Sequence, residues 1–272
     1  MFRTALSAPA TGRALDDPYA PLFLTARQRV LARALTPSVT RGLDRGLSGL
    51  FTVVAGRTHF FDDAIRGALA RGVRQVVILG AGYDSRALRL GDRAVRVFEV
   101  DHPATQADKR ARLATMGLAP GIAFVPADLV RGDAVAGLER AGHDPTAPTF
   151  FLWEGGTMYF EEARVREILR ALAGIAAPGS QLAFDSAARS MERFCGWQRG
   201  VMRVASAIVA LGGEPVRFRS DPGSLRRLLA EAGFTVREIV GADELFARYL
   251  RGSFLHAPAG PLDHAVLAER TS

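Results

Sequence analysis

Residues 75–89 read QVVILGAGYDSRALR. The apolar residues Val76 to Leu79 run into Gly80-Ala81-Gly82, and then into Asp84-Ser85-Arg86-Ala87-Leu88. This order predicts a buried strand, a glycine turn and the first turn of a helix. Glycine tolerates backbone conformations that a side chain would block, and it lets a ligand come close to the main chain. A turn of this kind, at the carboxyl end of a strand in an open α/β sheet, is where nucleotide-like ligands bind.

The same rhythm continues downstream. Strands are expected over 95–101, 122–125, 148–153 and 180–185, with helices over 103–116, 132–140 and 161–176 between them. Such alternation predicts a parallel sheet with helices on both faces. Upstream, Leu22, Phe23, Leu24, Val30, Leu31, Leu35 and Leu43 recur at helical spacing, with a break at Thr36-Pro37. Two or three helices are expected there, either completing the core or covering a binding site. Thr58 is placed to cap a helix bearing Phe61, Ile65 and Leu69, which puts Arg57 just before its start. After Ala187 the pattern changes. A helix is expected over 191–211, another over 224–232 closed by Gly233, a strand over 234–240, a helix over 243–251 and a last strand over 265–268. We read residues 1–272 as one domain. Residues 16–56 form a helical cover, 57–187 the ligand-binding core, 188–220 a helical cap insertion and 221–272 the C-terminal part of the sheet.

Bulk properties exclude several classes. Hydrophobic residues make up 48% and charged residues 23%, the balance of a globular protein. No apolar run reaches the roughly 20 residues that span a bilayer, and residues 1–17 lack a signal-peptide core. Cys195 is the only cysteine, which excludes an intrachain disulfide and fits a cytoplasmic location. The net charge is +7, and Lys109 is the only lysine. The arginines are scattered, often three or four residues from an acid, with no basic run interleaved with aromatics. This pattern is that of solvated faces and not of a nucleic-acid surface. It leaves room for a positive field that draws in an anionic small molecule.

The ligand follows from residues around the turn. Ser85 takes the third glycine position of the dinucleotide fingerprint, and Asp84 puts a carboxylate where a pyrophosphate wants a free helix terminus. A ligand with cationic groups tolerates that carboxylate. Asp101 ends the second strand, where an acid accepts from ribose hydroxyls. Asp128-Leu129 ends the third, placed for an adenine, and Glu154 ends the fourth. Arg57 can grip a carboxylate bidentately. Together these residues point to an adenosyl ligand with a positive end, which describes S-adenosyl-L-methionine. A nicotinamide dinucleotide, or a non-catalytic cofactor-binding regulatory module, are the competing readings.

RTHFFDD, GAGYDSRALRL, VFEVDHPATQADK, PADL and EGGTMYF, in this order and spacing, resemble the leucine carboxyl methyltransferase family. The resemblance covers about residues 17–245. It implies a class I methyltransferase fold: a Rossmann-like, mostly parallel α/β sheet of seven strands whose last strand is antiparallel. It also implies that Arg57 holds the methionine carboxylate, and that Gly80, Ala81 and Gly82 line the methionine and ribose. Asp101 would take the ribose, Asp128 and Leu129 the adenine, and Glu154 would lie near the methionyl end. One residue departs from the pattern: Gly156 stands where the family carries a bulky aliphatic side chain, which is expected to enlarge the pocket floor.

The methyl acceptor is less legible. A carboxylate acceptor needs no base, because its pKa of about 4 leaves it ionised at neutral pH. A phenol or enol benefits from one, and no histidine stands out for that task. Candidates for the acceptor pocket are Tyr19, Tyr159, Arg189, Arg193 and Trp197. No metal-ligand motif occurs.

Overall fold

Residues 6–7, 14–90, 94–118, 121–189, 215–258, 260 and 262–270 are described by the computed structural model. The apolar run before the glycine turn lies in β1 (Gln75–Leu79), buried along its whole length. β2 (Arg96–Asp101) and β4 (Thr149–Trp153) pair with it in parallel, one on each side. β3 (Ile122–Pro126) extends the sheet beyond β2, and β5 (Gln181–Ala188) extends it beyond β4. β8 (Asp263–Arg270) runs antiparallel between β5 and β7 (Phe234–Gly241), giving the order β3-β2-β1-β4-β5-β8-β7. This is the expected seven-stranded path. β6 (Arg219–Ser220) adds a short parallel pairing to β5. The chain moves outward from β1 to β3 and then returns to β4. The reversal between β1 and β4 opens a crevice at their carboxyl ends, and ligands bind at such switch points.

Alternate side chains of each strand point to opposite faces. Val77, Leu79, Phe98, Phe151 and Trp153 pack against α6 (Ala134–Arg140), α7 (Glu162–Gly174) and α8 (Pro222–Ala232). Val76, Ile78, Val97, Phe150 and Leu152 pack against α3 (Leu50–Ala70) and α9 (Ala242–Tyr249). Burial on both faces explains why the strands read as apolar runs and not as alternations.

α3 corrects one expectation. Thr58 does not cap a helix. It lies inside α3, and its hydroxyl donates to the Val54 carbonyl at 2.8 Å. Arg57 is therefore a mid-helix residue, and the dipole conflict of a cation at a helix start does not arise. Gly56, inside the same helix, is a crossing point. A Cβ there would stand 2.8 Å from Leu245 Cβ on α9. The cap comes from upstream: Asp44, fully buried, accepts from the Phe51 and Thr52 N–H groups at the start of α3.

α1 (Ala26–Ala34) and α2 (Pro37–Gly46) form as expected, with the break at Thr36-Pro37. Their apolar repeat does not enter the core. Val30 is 67% exposed and Leu31 52%, and Val39 and Leu43 are also exposed. The N-terminal region is held instead through Leu15, Leu35 and Phe51, which pack with Leu250 and Leu255. The helix expected over 191–211 lies outside the described residues.

Candidate active site

The turn after β1 has the geometry that its glycines allow. Gly80 and Gly82 adopt φ of +58° and +46°. The Ala81 N–H donates to the Val100 carbonyl at 3.2 Å and pins the turn to β2. Asp101 accepts from the Gly82 N–H with one oxygen and from the His102 N–H, at 2.6 Å, with the other. Two cavities meet at Gly80 and Gly82. One, of ≈ 390 Å³, is lined by Arg57, Ala81, Asp84 and Glu154, together with Asp17 and Phe23. The second, of ≈ 450 Å³, is lined by Asp101, Asp128, Leu129, Trp153, Gly156 and Tyr159. Arg57, Gly80, Ala81, Gly82, Asp101, Asp128, Leu129 and Glu154 therefore all border one or both cavities.

The first cavity is backed by a buried charge cluster. Arg57 Nη1 donates to Asp185 Oδ2 at 2.7 Å and to Asp263 Oδ2 at 3.0 Å, while Nε faces Glu154 Oε1 at 3.4 Å. Burial would lower the Arg57 pKa, but Asp185, Glu154 and Asp263 outweigh it and hold the guanidinium above its ordinary value. An end-on grip on a ligand carboxylate through both terminal nitrogens is not available, because Nη1 is already committed. Nη2, beside Gly155, is the terminal nitrogen left for a ligand. Arg86, 1% exposed, bridges Asp62, Asp84 and Glu154 at 2.6, 2.5 and 2.6 Å. Asp84 is thus not an open negative charge at the helix start. Arg86 donates to both of its oxygens, from the backbone N–H and from Nη1.

Several site residues carry no sequence signal. Asp17 accepts from Ser85 Oγ at 2.7 Å and from the Tyr19 and Ala20 N–H groups. Phe23 lies 5.6 Å from the Tyr83 ring, and its carbonyl accepts from Arg112 Nη1 at 3.0 Å. These contacts fix the segment 17–24 over the glycine turn. Ser85, which reads as a defect in the dinucleotide fingerprint, is the donor that holds this roof. Lys109, on α5 (Pro103–Thr115), is buried, and its Nζ donates to Glu99 Oε2 at 2.6 Å and to the Asp84 carbonyl at 2.7 Å. Burial pushes the Glu99 carboxyl up to about 7 against the opposing pull of Lys109.

Gly156 does not open the pocket floor. A Cβ on it would stand 2.6 Å from Trp153 Nε1, so the indole fills the space that an aliphatic side chain would occupy. Gly156→Leu is expected to destabilise the fold by about 1–3 kcal/mol through overpacking. Combined with Trp153→Ala, itself a core truncation, it should cost less in a urea melt than the sum of the two single losses, because the two changes share one contact. Of the acceptor candidates, Tyr159 lines the second cavity. Tyr19 lines a different cavity, with Asp16, His59 and Arg89. Arg189 is exposed, 3.9 Å from Asp221, and borders neither cavity at the glycine turn. Arg193 and Trp197 lie outside the described residues.

Comparison with known proteins places the chain in a family and a fold. The leucine carboxyl methyltransferase family model matches residues 1–173. A Mycolicibacterium gilvum protein named "Putative S-adenosyl-L-methionine-dependent methyltransferase" is 36% identical over 194 residues, which is 67% of this chain and 63% of its own length. The match thus spans less than two thirds of that relative. A Saccharopolyspora erythraea protein of the same name is 33% identical over 238 residues, covering 84% of this chain and 79% of its own. The magnesium protoporphyrin IX methyltransferase of Synechocystis PCC 6803, solved with bound SAH, shares the class I fold at a TM-score of 0.51. It does so with 13% identity, over 81% of this chain and 86% of its own. With the family model matching residues 1–173 of 272, this chain belongs to the leucine carboxyl methyltransferase family.

Proposed function

We propose that this chain is an S-adenosylmethionine-dependent O-methyltransferase whose acceptor is a carboxylate on a small molecule or natural product. The observation that carries the reading is the pair of cavities joined at Gly80 and Gly82, with a charged end and a nucleoside-like end. In the charged cavity, carboxylates outnumber guanidinium groups, which suits an ammonium and a sulfonium. Arg57 Nη2 would meet the methionine carboxylate and Glu154 would face the ammonium. In the second cavity Asp101 would accept from the ribose hydroxyls. Asp128 would accept from the adenine amino group, while the Leu129 N–H donates to the ring. When bound, S-adenosylmethionine supplies a methyl group activated by its sulfonium. The chain's own task is to align an acceptor oxygen in line with the methyl–sulfur bond and to exclude water. Alignment alone is worth about 7–11 kcal/mol.

No histidine or lysine among the described residues lines the charged cavity, which supports an acceptor that is already ionised. The arginine-rich surface favours an anionic one. The same reading treats residues 1–272 as one methyltransferase domain, with 16–56 as cover and 188–220 as cap. No helix among the described residues is long and apolar enough to cross a membrane.

A mass-spectrometric screen of candidate acids and phenols, followed by mild alkali, tests the acceptor. A methyl ester forms and is cleaved by base under this reading. A base-stable methyl ether on a phenol or enol would replace the carboxylate with a hydroxyl acceptor. Tight NADH binding without any binding of S-adenosylhomocysteine would remove the methyltransferase reading altogether.

A further inference from the structure

Asp185 and Asp263 border neither cavity at the glycine turn, yet both reach the residue that does. They come from neighbouring antiparallel strands, with Asp185 opposite Ala265 and Asp263 opposite Ala187. Asp185 is fully buried and Asp263 is 4% exposed. A backbone N–H fixes each carboxyl: Gly155 donates to Asp185 Oδ1, and His264 donates to Asp263 Oδ1 at 2.8 Å. Their remaining oxygens converge on Arg57 Nη1.

We propose that Asp263, together with Asp185, is a positioning residue that clamps Nη1 of Arg57 and so presents Nη2 to the carboxylate of the bound amino-acid nucleoside. The proposal rests on the cofactor reading above. Its geometry follows from the planarity of guanidinium. Once Nη1 is held by two carboxyls and Nε faces Glu154, the direction of Nη2 is set. Gly155 leaves room on that side, since a Cβ there would come within 3.2 Å of Nη2.

Burial and a neighbouring like charge both disfavour the ionised form of a carboxyl. Burial pushes the Asp185 carboxyl up against the pull of Arg57. Burial and the neighbouring Asp185 push the Asp263 carboxyl up further. Asp263 also lies outside residues 1–173, the part that the family model matches.

The test is calorimetric titration of the full chain with S-adenosylhomocysteine and with methylthioadenosine, which lacks the amino-acid carboxylate. Asp263→Leu should weaken S-adenosylhomocysteine about 10-fold or more, the scale of one charged hydrogen bond. It should change methylthioadenosine by less than about 2-fold, within the scatter of a site with no contact to the substituted residue. Asp263→Asn keeps one acceptor oxygen where the carboxyl serves both Arg57 Nη1 and the His264 N–H, so it should weaken S-adenosylhomocysteine less than Asp263→Leu does and change methylthioadenosine by less than about 2-fold. If Asp263→Leu does not fold, Asp263→Ser, too short to reach Nη1, makes the same comparison. Equal losses for the two ligands, or an unchanged S-adenosylhomocysteine affinity, would overturn the positioning role. A native chain that binds neither ligand would instead overturn the cofactor reading on which it rests.

Discussion

Asp101→Ala is expected to weaken S-adenosylhomocysteine binding by about 100-fold or more in calorimetric titration, because hydrogen bonds to a charged group contribute about 1.5–3 kcal/mol each and two ribose hydroxyls would be lost. The loss has a second source. Asp101 accepts from the Gly82 and His102 N–H groups, so its removal also frees the turn that the ligand must lie against. Asp101→Asn keeps an acceptor for the turn but not the charge, and should fall between, at about 10-fold. Circular dichroism should show both variants folded, since Asp101 is only half-buried. Binding of the alanine variant within about 3-fold of native, less than one such bond, would mean that no ribose lies there.

Arg86→Met should be the most destabilising single change near the site, at about 4 kcal/mol or more. Removing one partner of a buried ion cluster leaves uncompensated charge. Here three carboxylates, on Asp62, Asp84 and Glu154, lose a common guanidinium. The pH dependence separates this cause from lost packing. In the native chain burial would raise the Asp62 carboxyl, but Arg86 and Arg89 outweigh it and hold it below its ordinary value. Its contribution is present above the unfolded pKa of about 4 and is lost as the pH falls through the lower folded value. In the variant the orphaned carboxyls are raised, so stability grows as they take up protons. Urea midpoints of the two proteins should therefore converge as the pH falls from 7 towards 4. A deficit that does not change with pH would assign the loss to packing.

What could be read from the sequence was local. QVVILGAG and VFEVD carry their strand, their turn and their strand-end acid within a few residues, and the parallel sheet follows from repeating that unit. The strand-end acids Asp101, Asp128 and Glu154 could be found because an α/β sheet gathers every strand's carboxyl end at one edge. What could not be read was tertiary. The partners of Arg57 lie 128 and 206 residues away, and nothing in FDS or LDH marks Asp185 or Asp263 as its clamp. Nothing in the sequence pairs Arg86 with Asp62, which α3 brings over it. Thr58 imitates a cap, and Gly56 close before it is where the helix makes room for Leu245. Gly156 reads as an opened pocket only while Trp153 is counted as an ordinary core residue.

The most direct test of the central claim is a crystal structure of the chain with S-adenosylhomocysteine bound. The expected result has the ligand crossing Gly80–Gly82, its ribose on Asp101 and its purine beside Asp128 and Leu129. The carboxylate would lie within hydrogen-bond distance of Arg57 Nη2. A ligand with its purine in the Arg57 cavity, or bound away from the glycine turn, would contradict the account.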